Sequence, residues 1–146
     1  MLFSEARGRK VVSTSTAETV GKIDDYVVDQ ASHAVVALTL KKSGSGDTLR
    51  WSAMTAFGTD AVTVVGAEVI TPADDEIAAL KGKGHRLVGG RVLSSLGDEM
   101  GKVADVEFDP ETGIITALHL DDQQVEGVRL IGVGSYAVVV EAAGPR

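Results

Sequence analysis

The 146-residue chain contains no cysteine. Disulfide frameworks, cysteine-ligated zinc, iron–sulfur clusters and thiol nucleophiles are excluded by that alone, and a reducing compartment fits it. Aromatic residues make up only 4% of the sequence, so the expected cores are built from Val, Ile, Leu and Ala. The opening residues, 1–12, hold no apolar run of signal-peptide length. No window approaches the roughly 18–20 apolar residues of a membrane-crossing helix. The expectation is a soluble, cytoplasmic protein without a membrane span. Also missing are the Gly-x-Ser-x-Gly nucleophile elbow and the glycine spacing of a phosphate or dinucleotide loop. Gly82-Lys83-Gly84 and Gly89-Gly90 read instead as a helix stop and a turn.

Positive charge is in deficit. The net charge is −7, and residues 74–146 carry −6 of it against −1 for residues 1–73. An acidic second half repels phosphate backbones, so direct binding of nucleic acid is not expected. The same charge favours solubility.

What the chain does have is an internal repeat. Gly21–Leu40, GKIDDYVVDQASHAVVALTL, returns without a gap as Gly101–Leu120, GKVADVEFDPETGIITALHL, with seven of twenty positions identical. A repeat sets the architecture before any local reading does. It divides the chain into a first module over residues 1–70, a helical linker over 71–84 and a second module over 85–146. Modules of roughly 60–70 residues bury modest cores and are expected to lean on each other.

Within a module the pattern is that of short strands and turns. Strands are expected at Lys10–Ser13, from Gly21 to about Val28, at Ala34–Lys41, at Thr48–Ser52 with Trp51, and at Ala61–Val65. The apolar step from Ile23 to Tyr26 breaks alternation and predicts a bulge. Asp109-Pro110-Glu111-Thr112-Gly113 reads as a type I turn with a bulge. His33 stands in the first copy where Gly113 stands in the second, a position suited to the left-handed region. Val36, Leu38 and Leu40 share a face at period two, and Ala37, kept as Ala117, is expected to pack closely on a neighbouring strand. Ser43-Gly44-Ser45-Gly46-Asp47 reads as a flexible hairpin loop. About five strands per module predict small barrels or sandwiches. Thr71-Pro72-Ala73-Asp74-Asp75-Glu76 predicts a helix start with Thr71 as cap, ended by Gly82 and Gly84.

These residues resemble the PRC-barrel family, which includes the cytoplasmic domain of the photosynthetic reaction-centre H subunit and the C-terminal domain of the RimM ribosome-maturation factors. The pattern is Gly21-Lys22-Ile23-x-Asp25 with Asp29, then Ala37-Leu38-x-Leu40, Trp51 and Phe57-Gly58-x-Asp60-Ala61-Val62-x-Val64. The second copy has Gly101-Lys102-Val103-x-Asp105 with Asp109, Ala117-Leu118-x-Leu120 and Ala137-Val138-Val139-Val140. The resemblance implies an all-β fold of two tandem, partly open barrels joined by a short helical linker, used as interaction or structural modules and without shared catalytic residues.

The residues that could carry chemistry have plainer readings. Asp105, Glu107 and Asp109 alternate on one strand, with Glu111 beyond, and could hold a hard cation; a solvated acidic face with a turn aspartate is the reading taken. His33, His85 and His119 are too far apart for a local metal motif. Trp51 and Phe57 are expected in the core, opposite Leu130 and Val133 in the second copy. Arg7, Arg9 and Lys10 with Lys41 and Lys42 could form a basic patch, but no aromatics interleave them. No catalytic, cofactor-binding or metal residue is assigned, and the interaction surface is left open. The expected function is a non-enzymatic protein–protein adaptor or scaffold whose partner is another protein. A RimM-like RNA-processing or ribosome-assembly factor and a ligand- or divalent-cation-binding barrel are the alternatives. Free strand edges also leave a homodimer open.

Overall fold

Residues 1–41, 46–80, 87–134 and 136–142 are described in the computed structural model. The chain is mostly β and forms two six-stranded sheets. The first contains β1 (Lys10–Ser13), β2 (Thr19–Asp29), β3 (Ala34–Lys41), β4 (Thr48–Arg50), β5 (Ala56–Phe57) and β6 (Ala61–Val64). The second contains β7 (Arg91–Ser94), β8 (Glu99–Phe108), β9 (Ile115–Leu120), β10 (Gln124–Glu126), β11 (Leu130–Val133) and β12 (Val138–Val140). The orders are β4-β3-β2-β1-β6-β5 and β10-β9-β8-β7-β12-β11, one topology used twice. In each, the first strand pairs antiparallel with the second and parallel with the last. Each sheet has six strands rather than five, because a two-residue strand before Gly58 and its longer counterpart before Gly134 pair back on the last strand.

The long hairpin of each sheet carries two bulges. Ile23 pairs with Leu40 and Asp25 with Thr39, so Asp24 is the extra residue; Ala104 repeats it. This is the bulge the sequence predicts. The shared aspartates explain themselves here: Asp25 Oδ1 accepts the Tyr26 N–H and Asp105 Oδ1 the Val106 N–H, each at 2.9 Å. The second bulge falls on the returning strand. Val28 pairs with Val35 and Val27 with Ala37, leaving Val36 unpaired, and Thr116 repeats it. It puts Val35, not Val36, into the main core with Leu38 and Leu40. The turn between the strands is as expected: His33 has φ 56° and Gly113 φ 81°, and Asp29 and Asp109 accept the N–H two residues on.

Helix α2 (Asp75–Leu80) does not start at Thr71. Asp74 is its cap, accepting the Ile77 N–H at 2.9 Å. Thr71 exchanges both backbone hydrogen bonds with Thr48 at 2.9 Å instead, which fixes it as strand-like. The expected helix stop at Gly82 and Gly84 and the loop at Ser43-Gly44-Ser45 lie outside the described residues. The helix covers the outer face of the first sheet, where Ile77 packs with Val27 and Ala37. Ala37 is therefore small to admit a helix rather than a strand. In the second copy the positions of Val27 and Val36 are Glu107 and Thr116, and that face lies open.

The inner faces of both sheets join in one continuous core, running from Val11, Leu38 and Val62 to Val92, Leu118 and Val138. The N-terminal residues tie the sheets together. Met1 exchanges hydrogen bonds with Phe108, at 2.8 and 3.0 Å, and Leu2 bridges Glu107, so residues 1 and 2 extend the second sheet before α1 (Phe3–Ala6) turns back.

Candidate functional site

The seam between the two repeats is where the chain departs most from the aliphatic core its composition implies. The two hairpin turns meet there reciprocally. Val35 N–H donates to Gly113 O and Ile115 N–H to His33 O, both at 2.8 Å, around a bridge between Ala34 and Ile114. Because 33 and 35 are the repeat positions of 113 and 115, the contact has local two-fold pseudosymmetry.

Five of the six aromatic residues gather at this seam. Phe108 of the second copy sits among four aromatics of the first, with centroid distances of 5.6 Å to Phe3, 5.9 Å to Tyr26, 6.2 Å to Trp51 and 5.3 Å to Phe57. Its contacts to Trp51 and Phe57 are edge-on, the arrangement that places a ring's positive edge on a negative face. Tyr26 stacks on Phe3 at 3.8 Å and donates its hydroxyl to Phe3 O at 2.8 Å. Burial pushes the Tyr26 phenol well above its ordinary pKa, against the opposing pull of Arg7 and Arg9. Sequence reasoning missed this cluster. Its signal was an aromatic in one copy facing an aliphatic in the other: Tyr26 against Val106, Phe108 against Val28.

The pseudosymmetry is deliberately unequal in size. Arg50 pairs with Ala37 and Glu126 with Ala117, so the next residues, Trp51 and Gly127, are equivalent; Leu130 is not the counterpart of Trp51. Trp51 starts a 3-10 turn rather than lying in a strand. A Cβ on Gly113 would stand 3.0 Å from the Trp51 ring and 2.8 Å from Val35 O. On the other side of the axis Gly127 packs so closely on Ile115 that a Cβ would strike the Ile115 carbonyl, and His33 Nε2 meets Leu130 O at 2.9 Å.

Two grooves open along this seam at repeat-related places. One, of about 450 Å³, is lined by Trp51, Met54, Thr55, Phe57, Pro110 and Glu111, among others. The other, of about 380 Å³, is lined by Gln30, Leu93, Val133, Tyr136 and their neighbours. Gln30 and Pro110 are the same repeat position. Phe57 is buried as expected, whereas Trp51 is half-buried, with one part in the aromatic cluster and another on the groove. Tyr136, 73% exposed, lies under the Arg91 guanidinium at 5.1 Å.

The other residues singled out in the sequence fall apart into separate contacts. Asp105 is engaged by Ser4 through both backbone N–H and hydroxyl. Glu107 meets His119 at 3.0 Å, and Asp109 holds its own turn. Among the described residues no three His, Asp or Glu side chains converge. His85 and Lys42 lie outside the described residues. Arg7 pairs with Asp25 at 3.6 Å, Lys41 with Asp24 at 3.4 Å, and Arg9 donates to Gly58 O at 2.9 Å, so the basic residues are divided among different partners. Among the described residues no helix is long and apolar enough to cross a membrane.

No family model matches the chain, and no curated protein matches it.

Proposed function

We propose that the chain is a non-enzymatic protein–protein adaptor of the cytoplasm, built from two PRC-type barrels. The doubled sheet order, with the Gly-Lys-x-x-Asp hairpin in the same place in both copies, supports the family reading. The observation that carries the functional reading is the pair of repeat-related grooves with unlike linings. One has Trp51, Met54, Pro110 and Glu111; the other has Gln30 and the exposed Tyr136. Half-buried or exposed aromatics beside a groove are the usual anchors of protein interfaces. Unlike linings suit unlike partners. The RNA-linked alternative has less support, since Arg7 and Lys41 are paired with aspartates.

The test is affinity purification of the tagged chain from native lysate, with and without nuclease, read by mass spectrometry. One or a few nuclease-resistant proteins are expected, with Tyr136→Ser and Glu111→Lys each losing a different one. Ribosomal proteins that vanish with nuclease would replace the adaptor by the RNA-linked function. Recovery of no protein would overturn both.

A further inference from the structure

The two copies treat the outer edge of their short strand differently. In the second sheet, Gly134 N–H donates to Ala137 O at 3.1 Å and Val133 stands opposite Val138. Hydrogen-bonded and non-hydrogen-bonded pairs alternate in an antiparallel ladder, so the Val133 N–H faces away from β12. It is met there by the Gln30 side-chain oxygen at 2.8 Å. The first sheet has the same local geometry. Gly58 N–H donates to Ala61 O at 3.0 Å and Phe57 stands opposite Val62, so the Phe57 N–H and C=O face outward from the terminal strand β5. The residue at the place of Gln30 is now Pro110, which has no side-chain acceptor. The second sheet therefore closes its own edge, whereas among the described residues nothing meets the Phe57 N–H of the first, beside the larger groove.

We propose that the β5 edge, Ala56–Phe57, is a strand-addition site for an extended peptide segment of a partner protein. The carboxamide of Gln30 shows the bond the peptide makes: a backbone C=O of the segment accepts the Phe57 N–H as Gln30 Oε1 accepts that of Val133. In an extended segment alternate side chains point the same way, so one apolar side chain enters the groove between Trp51, Met54 and Pro110. A Lys or Arg further along faces Glu111, whose side chain stands on the groove in a chain of net charge −7. An unpaired edge is otherwise a hazard for association; a two-residue strand limits it to short segments. This inference rests on the adaptor reading and adds to it the site and the chemistry of one partner.

The experiment pans phage-displayed random peptides against the intact chain and measures the selected peptides on wild type, Pro110→Gln and Glu111→Lys. Pro110→Gln copies the self-closed edge of the second sheet. The expected peptides carry an aliphatic residue with a nearby Lys or Arg. Pro110→Gln should weaken them about tenfold or more, as the edge bond is taken internally. Glu111→Lys, a surface change that leaves folding intact, should weaken them several-fold and more so at low salt. The Phe57 amide should also exchange more slowly when peptide is bound. Selection of no peptide, or of peptides indifferent to both variants, overturns the proposal. Proteins recovered from lysate equally by wild type and Pro110→Gln would place docking elsewhere and leave the adaptor reading standing. Recovery by neither would remove both.

Discussion

Ala17 has φ 59° at the turn between β1 and β2, where the second copy has Gly97 at 88°. An L side chain is strained there and glycine is not. Ala17→Gly is expected to raise stability by about 1 kcal/mol, measured by urea denaturation. Gly113 is the opposite case, since its φ is 81° and a Cβ would strike both Val35 O and the Trp51 ring. Gly113→Ala combines backbone strain with overpacking and should cost about 3 kcal/mol. A loss smaller than that of an exposed turn glycine such as Gly97→Ala would contradict the close seam. Tyr26 gives a pH signature. Burial raises its folded-state pKa, so the folded protein keeps a proton that the unfolded chain gives up above about pH 10. Stability is then complete below that pH and falls as pH rises above it. Tyr26→Phe should lose about 1 kcal/mol at neutral pH, with the hydrogen bond to Phe3 O, and should flatten the alkaline decline.

At the scale of elements, α2 is held by Ile77 against Val27 and Ala37. Ile77→Ala should cost about 2–4 kcal/mol, since the residue is 1% exposed. The Asp74 carboxylate is held below its ordinary pKa, first by the Ile77 N–H and then by Arg50. A lowered carboxylate stabilises the fold above its unfolded pKa, about 3.8, and ceases to do so as pH falls through the folded value. The melting temperature of Asp74→Ala should therefore lie below that of wild type at neutral pH and converge with it in acid. Elements were also where the sequence was most readable. β1 and β3 fall on their expected residues, and the bulge at Asp24 was visible because it breaks an apolar alternation. The bulge at Val36 was not, because Val35, Val36 and Ala37 are all apolar and no alternation exists to break. Thr71 does not cap α2 because it is drawn into pairing with Thr48, a contact between distant residues that overrides local capping preference.

For the whole molecule, the repeat announced two equal β units, and two sheets of one topology follow. The seam was not legible. It depends on Met1 reaching Phe108 and on Gln30 reaching Val133, pairs more than a hundred residues apart in the chain. Nor did composition suggest that scarce aromatics would be concentrated in one place. The seam is also unequal in size, since Trp51 packs over Gly113 while the repeat counterpart of Trp51 is Gly127.

The two repeats form one body through this aromatic seam. The direct measurement is denaturant unfolding of wild type and Phe108→Ala, followed both by fluorescence of the single tryptophan, Trp51, and by far-ultraviolet circular dichroism. Phe108 belongs to the second copy and Trp51 to the first. The two signals are expected to coincide in wild type, as for one cooperative unit. Phe108→Ala should lower stability by about 3–5 kcal/mol in the Trp51 signal itself. Separate transitions in wild type, or a Trp51 transition unmoved by Phe108→Ala, would mean that the repeats unfold independently and that the seam is no more than a contact.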